Sequence, residues 1–239
     1  MNQPGFFEII GFGANGWGPA LLAAAGMTIA VAICGFALGA VIGALGAWAK
    51  LSGGPVTRRL ADGYTTVLRG IPDLLVIYLF YFGSSAVLTP LGRLIGATGF
   101  ISLPGFLAGA LAIGVVSGAY HTEVFRGAYR AVLRGEIEAA VACGMRPFLR
   151  LRRIIAPLVL RYALPGLGNV WQLVLKETAL ISVTGLVEIL RQAQIGAGST
   201  RQPFTFFFIA AILYLVISSV SGWGLRTAEQ CLTRGLRRA

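Results

Sequence analysis

The sequence has few charged residues, only two lysines and a single histidine. Charged residues make up 12% of its 239 positions and hydrophobic residues 56%. An ordinary soluble domain is about 25% charged, so this chain could not cover a water-facing surface of its size. The three cysteines, Cys34, Cys143 and Cys231, are far apart and lack metal-ligand spacing. The composition excludes an ordinary soluble protein and predicts one integral membrane domain over residues 1–239.

The shortage of lysine also excludes a P-loop for ATP hydrolysis. A Walker A loop needs Gly-Lys-Ser/Thr, whereas Lys50 lies in Trp-Ala-Lys-Leu and Lys176 in Val-Leu-Lys-Glu. The glycine-rich segment 196–200 has no lysine and is interpreted as a flexible loop. His121 with Glu123 two residues later makes neither a metal site nor a catalytic triad. We therefore predict that the chain is no enzyme by itself and binds no cofactor or metal.

Five apolar segments are long enough to cross a bilayer core, which takes about 20 helical residues. They cover about residues 20–49, 64–88, 104–122, 164–186 and 204–223. The pattern predicts an all-α integral membrane protein whose termini lie on opposite sides.

The basic residues predict an orientation for these spans. Of the 20 Lys and Arg residues, 15 fall in three segments on one side of the membrane, and only Arg93, Arg191 and Arg201 fall on the other. The positive-inside rule therefore predicts a periplasmic N-terminus and a cytoplasmic C-terminus. The net charge of +11 comes without any basic-aromatic module, so nucleic-acid binding is not favoured.

One cytoplasmic connection, about residues 134–157, is long and rich in arginine. Helix formers fill residues 136–145, and Pro147 interrupts the pattern. The arginines alone leave two interpretations open, a docking surface for another protein and a solvated basic loop.

The remaining residues of this connection carry a specific resemblance. Glu138-Ala139-Ala140, then Gly144 after three residues, Ile154 after nine more and Pro157 resemble the EAA loop of permeases in ATP-binding-cassette (ABC) importers. Ala156 stands where that pattern usually has leucine.

Other segments are similar to the polar amino acid branch of these permeases. They are Arg69–Asp73 with Tyr81–Gly83, Gly118–Ala128, and Ala163–Asn169 continuing to Leu175–Leu180. Over about residues 20–225 the chain most resembles the Q-type membrane subunits of histidine, arginine, octopine and nopaline uptake systems.

The resemblance implies a type I ABC importer permease fold in the bacterial inner membrane. It implies three partners: an ATPase dimer that uses ATP and Mg²⁺, a second permease, and a periplasmic substrate-binding protein. The second permease is either a copy of this chain or a related M-type chain, and the resemblance to Q-type chains favours the related chain. It also implies that the EAA loop forms two short helices joined near Gly144, the first of which docks on the ATPase through Glu138, Ala139 and Ala140. The arginines at 146, 150, 152 and 153 are expected to contact either the ATPase or anionic lipid headgroups.

Charged residues inside the spans are candidates for the substrate path. Lys176 and Glu177 interrupt the fourth span, where a charge costs about 2.5–3.5 kcal/mol on insertion scales. Because helix neighbours point about 100° apart, the two are not expected to neutralise each other. We hypothesise that Glu177 attracts the cationic end of a basic amino acid or related opine. Asp73 and Glu123 are further candidates. The competing interpretation is a structural pairing of each residue with another helix or with the second permease.

Two other functions are compatible with parts of the sequence. A secondary, ion-coupled amino acid transporter would show inverted repeats and broken helices in matching halves, whereas five spans cannot be halved evenly. A non-transporting membrane anchor would explain the basic connection but would leave Lys176 and Glu177 without a purpose.

Overall fold

The computed structural model describes residues 9–13, 16–94, 96, 99 and 101–233. Over these residues the secondary structure is helical. In chain order it comprises α1 (Gly18–Ser52), α2 (Pro55–Gly70), α3 (Asp73–Leu94), α4 (Gly105–Ala131), α5 (Arg134–Ala142), α6 (Pro147–Arg150), a π-turn (Leu151–Ile155), α7 (Ala156–Glu177), a 3₁₀ helix (Thr178–Thr184), α8 (Ile189–Thr200) and α9 (Pro203–Thr233).

Five helical segments are long and apolar enough to cross a membrane, as the sequence predicts. They are Gly18–Ser52, Asp73–Leu91, Gly105–Ala131, Pro147–Thr184 and Pro203–Cys231. Most are longer than their apolar cores because the helices continue into polar residues at their ends. Three of the arginines counted for the orientation, Arg234, Arg237 and Arg238, lie outside the described residues.

The second span begins later than the sequence suggests. Hydropathy predicts a span from residue 64, but Tyr64 belongs to α2, and the spanning helix α3 begins only at Asp73. Pro72 causes the break, since it offers no N–H and forces the residue before it out of the helical region. Ile71 is accordingly extended, with φ −103° and ψ 149°. The charged helix α2 lies against the bundle, where the Tyr64 hydroxyl donates a 2.5 Å hydrogen bond to the Val115 carbonyl.

The segment interpreted as a flexible loop is helical. Residues 196–200 form the end of α8, although their glycines have low helix propensity. Packing outweighs propensity here, because Gly196 lies so close to the Phe206 ring that a Cβ would overlap it. At the other end of α8, the Glu188 carboxylate accepts from the backbone N–H groups of Leu190 at 2.8 Å and Arg191 at 2.7 Å.

Helix α4 is the centre of the bundle and packs against α1, α2, α3 and α7. Its closest neighbour is α1, because glycines on α1 meet small residues on α4. A Cβ at Gly39 would overlap the Ser117 hydroxyl, and one at Gly43 would overlap His121. Such close contact through small residues is a common way for helices to associate in lipid.

Replacing Gly43 by leucine is expected to separate α1 from α4 and destabilise the protein. Overpacking of a filled interface typically costs about 1–3 kcal/mol. The matched control is Gly26→Leu on the same helix, since nothing lies within 4 Å of a Cβ added there. The measurement is the yield and thermal midpoint of the purified protein by fluorescence-detected size exclusion. Equal yields and midpoints for the two variants would contradict the proposed packing role.

Candidate functional site

The first part of the EAA loop is the nine-residue helix α5. Glu138 and Ala139 are exposed on it, whereas Ala140 is 5% exposed and packs within the chain. Of these three motif residues, Ala140 therefore supports the loop, whereas Glu138 and Ala139 are accessible to a partner.

Gly144 ends α5 in the left-handed conformation that the motif requires. Its φ is +72°, a value that costs a residue with a Cβ but not glycine. The Gly144 N–H donates to the Val141 carbonyl at 2.9 Å, and the Met145 N–H donates to the Ala140 carbonyl at 3.1 Å. These two bonds form a Schellman motif, which satisfies the last carbonyls of the helix and turns the chain sharply.

The resemblance implies a second short helix in the loop, and this prediction is wrong, because the second helix is part of a much longer one. From Pro147 the chain stays helical through α6, the π-turn and α7 to Glu177. Pro157 explains the π-turn, since it cannot donate to the carbonyl of Arg153 four residues back and its ring crowds that carbonyl. The wider turn absorbs this conflict without ending the helix. The EAA loop is thus covalently and helically continuous with the fourth span.

Two predicted path residues, Asp73 and Glu177, lie together. Glu177 near the end of α7 is 4% exposed, and the carboxyl of Asp73 at the start of α3 lies beside it. Within the described residues neither carboxylate oxygen of Glu177 has a hydrogen-bond donor. The Arg69 guanidinium lies 5.4 Å from the centre of the Tyr120 ring, and Tyr120 interacts electrostatically with both carboxylates. The arrangement leaves negative charge that a bound cation could neutralise.

The third carboxylate, Glu123, is already occupied by cations of the chain. The Lys50 ammonium donates to Glu123 Oε1 at 2.7 Å and to Thr65 Oγ1 at 2.6 Å, and Arg126 Nε donates to Glu123 Oε2 at 2.9 Å. Lys50 also lies 2.9 Å from Asp62 Oδ1, and this hydrogen bond lowers the pKa of Asp62 below its ordinary value. Glu123 therefore ties α4 to α1 and α2, which fits the structural interpretation better than a direct role toward substrate.

These charged groups surround one cavity of about 580 Å³, which Arg69 and Tyr120 also line. The sequence does not predict the central role of Lys50 in this ionic cluster, because no linear pattern pairs it with a carboxylate 73 positions away. From the sequence alone, Lys50 is only one of the basic residues that predict the orientation. The sequence likewise does not predict that Arg69 and Tyr120 lie next to each other, although both fall within segments that carry the family resemblance.

Lys176 points away from Glu177, as the helical geometry predicts. It is exposed and lines a separate shallow cavity with Tyr214 and Ser218. Gln172 and Asn169 lie on the same side of α7, one and two turns earlier respectively. A polar stripe on a membrane-spanning helix is stable only against protein or water, so this face of α7 does not face lipid.

The sequence matches the family described as "Binding-protein-dependent transport system inner membrane component" over residues 35–230. It is 59% identical to the octopine transport system permease protein OccQ of Rhizobium meliloti, over 98% of this chain and 99% of that one. It is 39% identical to the histidine/lysine/arginine/ornithine transport system permease protein HisQ of Escherichia coli strain K12, over 94% and 98%. A crystal structure of an amino acid ABC transporter with histidines superposes with a TM-score of 0.76 at 30% identity, over 90% and 94%.

Proposed function

The chain belongs to the binding-protein-dependent transport system inner membrane components, and we propose that it forms half of the translocation path for a basic amino acid or an opine. It is a multi-pass inner-membrane permease subunit of an amino acid ABC transport system. The observation that supports the substrate class is the Asp73–Glu177 pair, whose negative charge no described cation neutralises within salt-bridge distance. Arginine, lysine, ornithine and octopine all have a cationic side chain that such a pair would attract.

The coupling role belongs to α5 and the helix that follows. Exposed Glu138 and Ala139 dock on the ATPase, while buried Ala140 and left-handed Gly144 hold the shape of the loop. Because the chain is helical from Pro147 to Glu177, a displacement of the docked loop reaches the acidic pair directly. ATP and Mg²⁺ act on the ATPase, and this chain binds neither.

The assembly has a definite arrangement in this proposal. The whole chain is one permease domain with a periplasmic N-terminus and a cytoplasmic C-terminus. The polar stripe of α7, with Lys176, faces the path and a related M-type permease, which supplies the other half. A periplasmic binding protein delivers the substrate, and it does most of the selection.

The test is purification of the tagged chain from its native membranes, identification of the co-purifying proteins, and reconstitution of the complex in liposomes. We expect an ATPase and a second permease to co-purify, and ATP-dependent uptake of labelled arginine or octopine when the binding protein is added. The chain reconstituted alone provides the control. Gradient-driven uptake by the chain alone would identify a secondary transporter, and a stable complex without uptake of any such cation would favour a membrane anchor.

A further inference from the structure

An apolar groove lies between three helices at the end of the bundle that holds the EAA loop. Its volume is about 700 Å³, and it runs between the end of α1, the end of α4 and the start of the α6–α7 helix. The lining is mostly aliphatic and aromatic and includes Ala44, Trp48, Leu51, Phe125, Val159 and Leu160. This volume and this apolar lining suit part of an acyl chain.

One arginine stands at this groove without an acceptor for its innermost nitrogen. Arg150 is half-buried, and its Nε is buried with no hydrogen-bond partner among the described residues. None of the described residues that line the groove is acidic. A buried donor left without an acceptor is costly. The groove therefore combines an apolar surface with a buried N–H donor that an anionic oxygen could satisfy.

The π-turn brings the lining residues onto a common side. The Ala156 N–H bonds to the Leu151 carbonyl, five residues back. In a regular α-helix residues five apart point about 140° away from each other, but the wider π-turn lets Leu151 and Ala156 share a face. Both line the groove, so the turn that Pro157 imposes also shapes this surface.

The groove lies on the side of α7 opposite its polar stripe. Ala156 lines the groove, whereas Pro165 lies on the polar side of α7 with Asn169 and Gln172. Because Pro165 is nine residues after Ala156, it points about 180° away from it. If the polar stripe faces protein and water, the groove faces the bilayer. Trp48 at its edge is 68% exposed, and tryptophan is enriched at the membrane–water interface.

We propose that this groove binds an anionic phospholipid of the inner leaflet, with an acyl chain along the apolar lining and the phosphate on Arg150. The choice of leaflet rests on the orientation in the proposed function; the binding itself does not depend on transport. The bound lipid would contact the helix that joins the EAA loop to the fourth span.

The test uses the complete purified transporter complex and titration with dioleoyl-phosphatidylglycerol, with bound lipid counted by native mass spectrometry. We expect saturable binding of one lipid per copy of this chain. Arg150→Gln should weaken binding at least about tenfold, because a hydrogen bond to a charged group is lost. The matched control is Arg152→Gln, which removes the same charge from an exposed position that does not line the groove. Equal loss in both variants would show only a diffuse attraction to surface charge and would overturn the proposal.

A second variant tests the apolar part without changing any charge. Ala44 is exposed on α1, and Ala44→Phe should fill the groove and reduce the bound lipid similarly, with an unchanged elution volume of the complex. Zwitterionic dioleoyl-phosphatidylcholine should bind at least about tenfold more weakly than the anionic lipid. Undiminished binding to Ala44→Phe, or equal binding of the two lipids, would overturn the proposal.

Crosslinking identifies the occupant directly. A photoreactive benzoylphenylalanine at position 48 should form adducts with phosphatidylglycerol in membranes. An adduct with the ATPase or with the second permease would show that protein covers the groove and would contradict lipid binding. None of these measurements requires uptake, so a failure here is distinguishable from a failure of the transport proposal.

Discussion

Replacing Glu177 by glutamine is expected to weaken the apparent affinity of uptake for a cationic amino acid at least tenfold. The substitution keeps the shape of the side chain and removes one of the two ionisable carboxyls that we propose attract the substrate. A hydrogen bond to a charged group is worth about 1.5–3 kcal/mol, and each 1.4 kcal/mol is a factor of ten. The measurement is the concentration dependence of ATP-driven uptake of labelled arginine or octopine by the reconstituted complex.

The matched control is Asp62→Asn, the same change of carboxylate to amide in the neighbouring ionic cluster. Asp62 is exposed and bonded to Lys50, so we expect its loss to change the affinity by less than about twofold, as for a typical exposed ion pair. If Glu177→Gln transports with unaltered affinity and rate, Glu177 has no role in the path.

Thermal stability separates the functional role from a structural one. The oxygens of Glu177 have no donor in the part of the chain that the structure describes, and burial of a carboxylate without partners is unfavourable. The glutamine variant should therefore unfold at the same temperature or higher while its uptake falls. A lower unfolding temperature with normal affinity would indicate instead that Glu177 bonds to the second permease.

Reversing the charge of Glu138 is expected to detach the ATPase from the membrane. Glu138 is exposed beside Ala139 on α5, so we expect its carboxylate to pair with a basic group of the ATPase. An arginine there would place a bulky cation against that group. A like-charge contact in an interface costs several kcal/mol, which corresponds to at least a hundredfold weaker association. The measurement is the fraction of ATPase that sediments with membranes containing Glu138→Arg.

Two milder variants calibrate this result. Glu138→Gln removes the charge without reversing it and should give intermediate binding. Glu136→Gln makes the same change on the same helix at a half-buried residue that points about 160° away, and it should bind the ATPase normally. Full retention of the ATPase by Glu138→Arg would remove Glu138 from the interface.

The structural features that the sequence predicts correctly depend on local chemistry. Continuous hydropathy predicts the five spans, and the motif predicts the turn at Gly144 because only glycine adopts its φ without strain. The divergence of Lys176 from Glu177 follows from the helical repeat alone. These features depend on residues within one or two turns of each other.

The features that escaped prediction depend on tertiary contacts. Hydropathy predicts a second span from Tyr64, because residues 64–70 contain a single charge, Arg69, and hydropathy takes no account of the break that Pro72 imposes. The end of α8 is helical because Gly196 packs on Phe206, which no propensity scale includes. The ion pair between Lys50 and Glu123 joins α1 and α4, which are far apart in the sequence.

The unbroken helix from Pro147 to Glu177 has a mechanical consequence. At 1.5 Å per residue it is a rod of about 45 Å, with the Gly144 turn as a pivot at its outer end. A tilt of only about 5° about that pivot would sweep the far end sideways by about 4 Å, more than the length of a hydrogen bond. Motion too small to unfold any helix is thus enough to pull the Glu177 carboxyl away from Asp73 and to change the charge that, in the proposed function, the substrate cation meets.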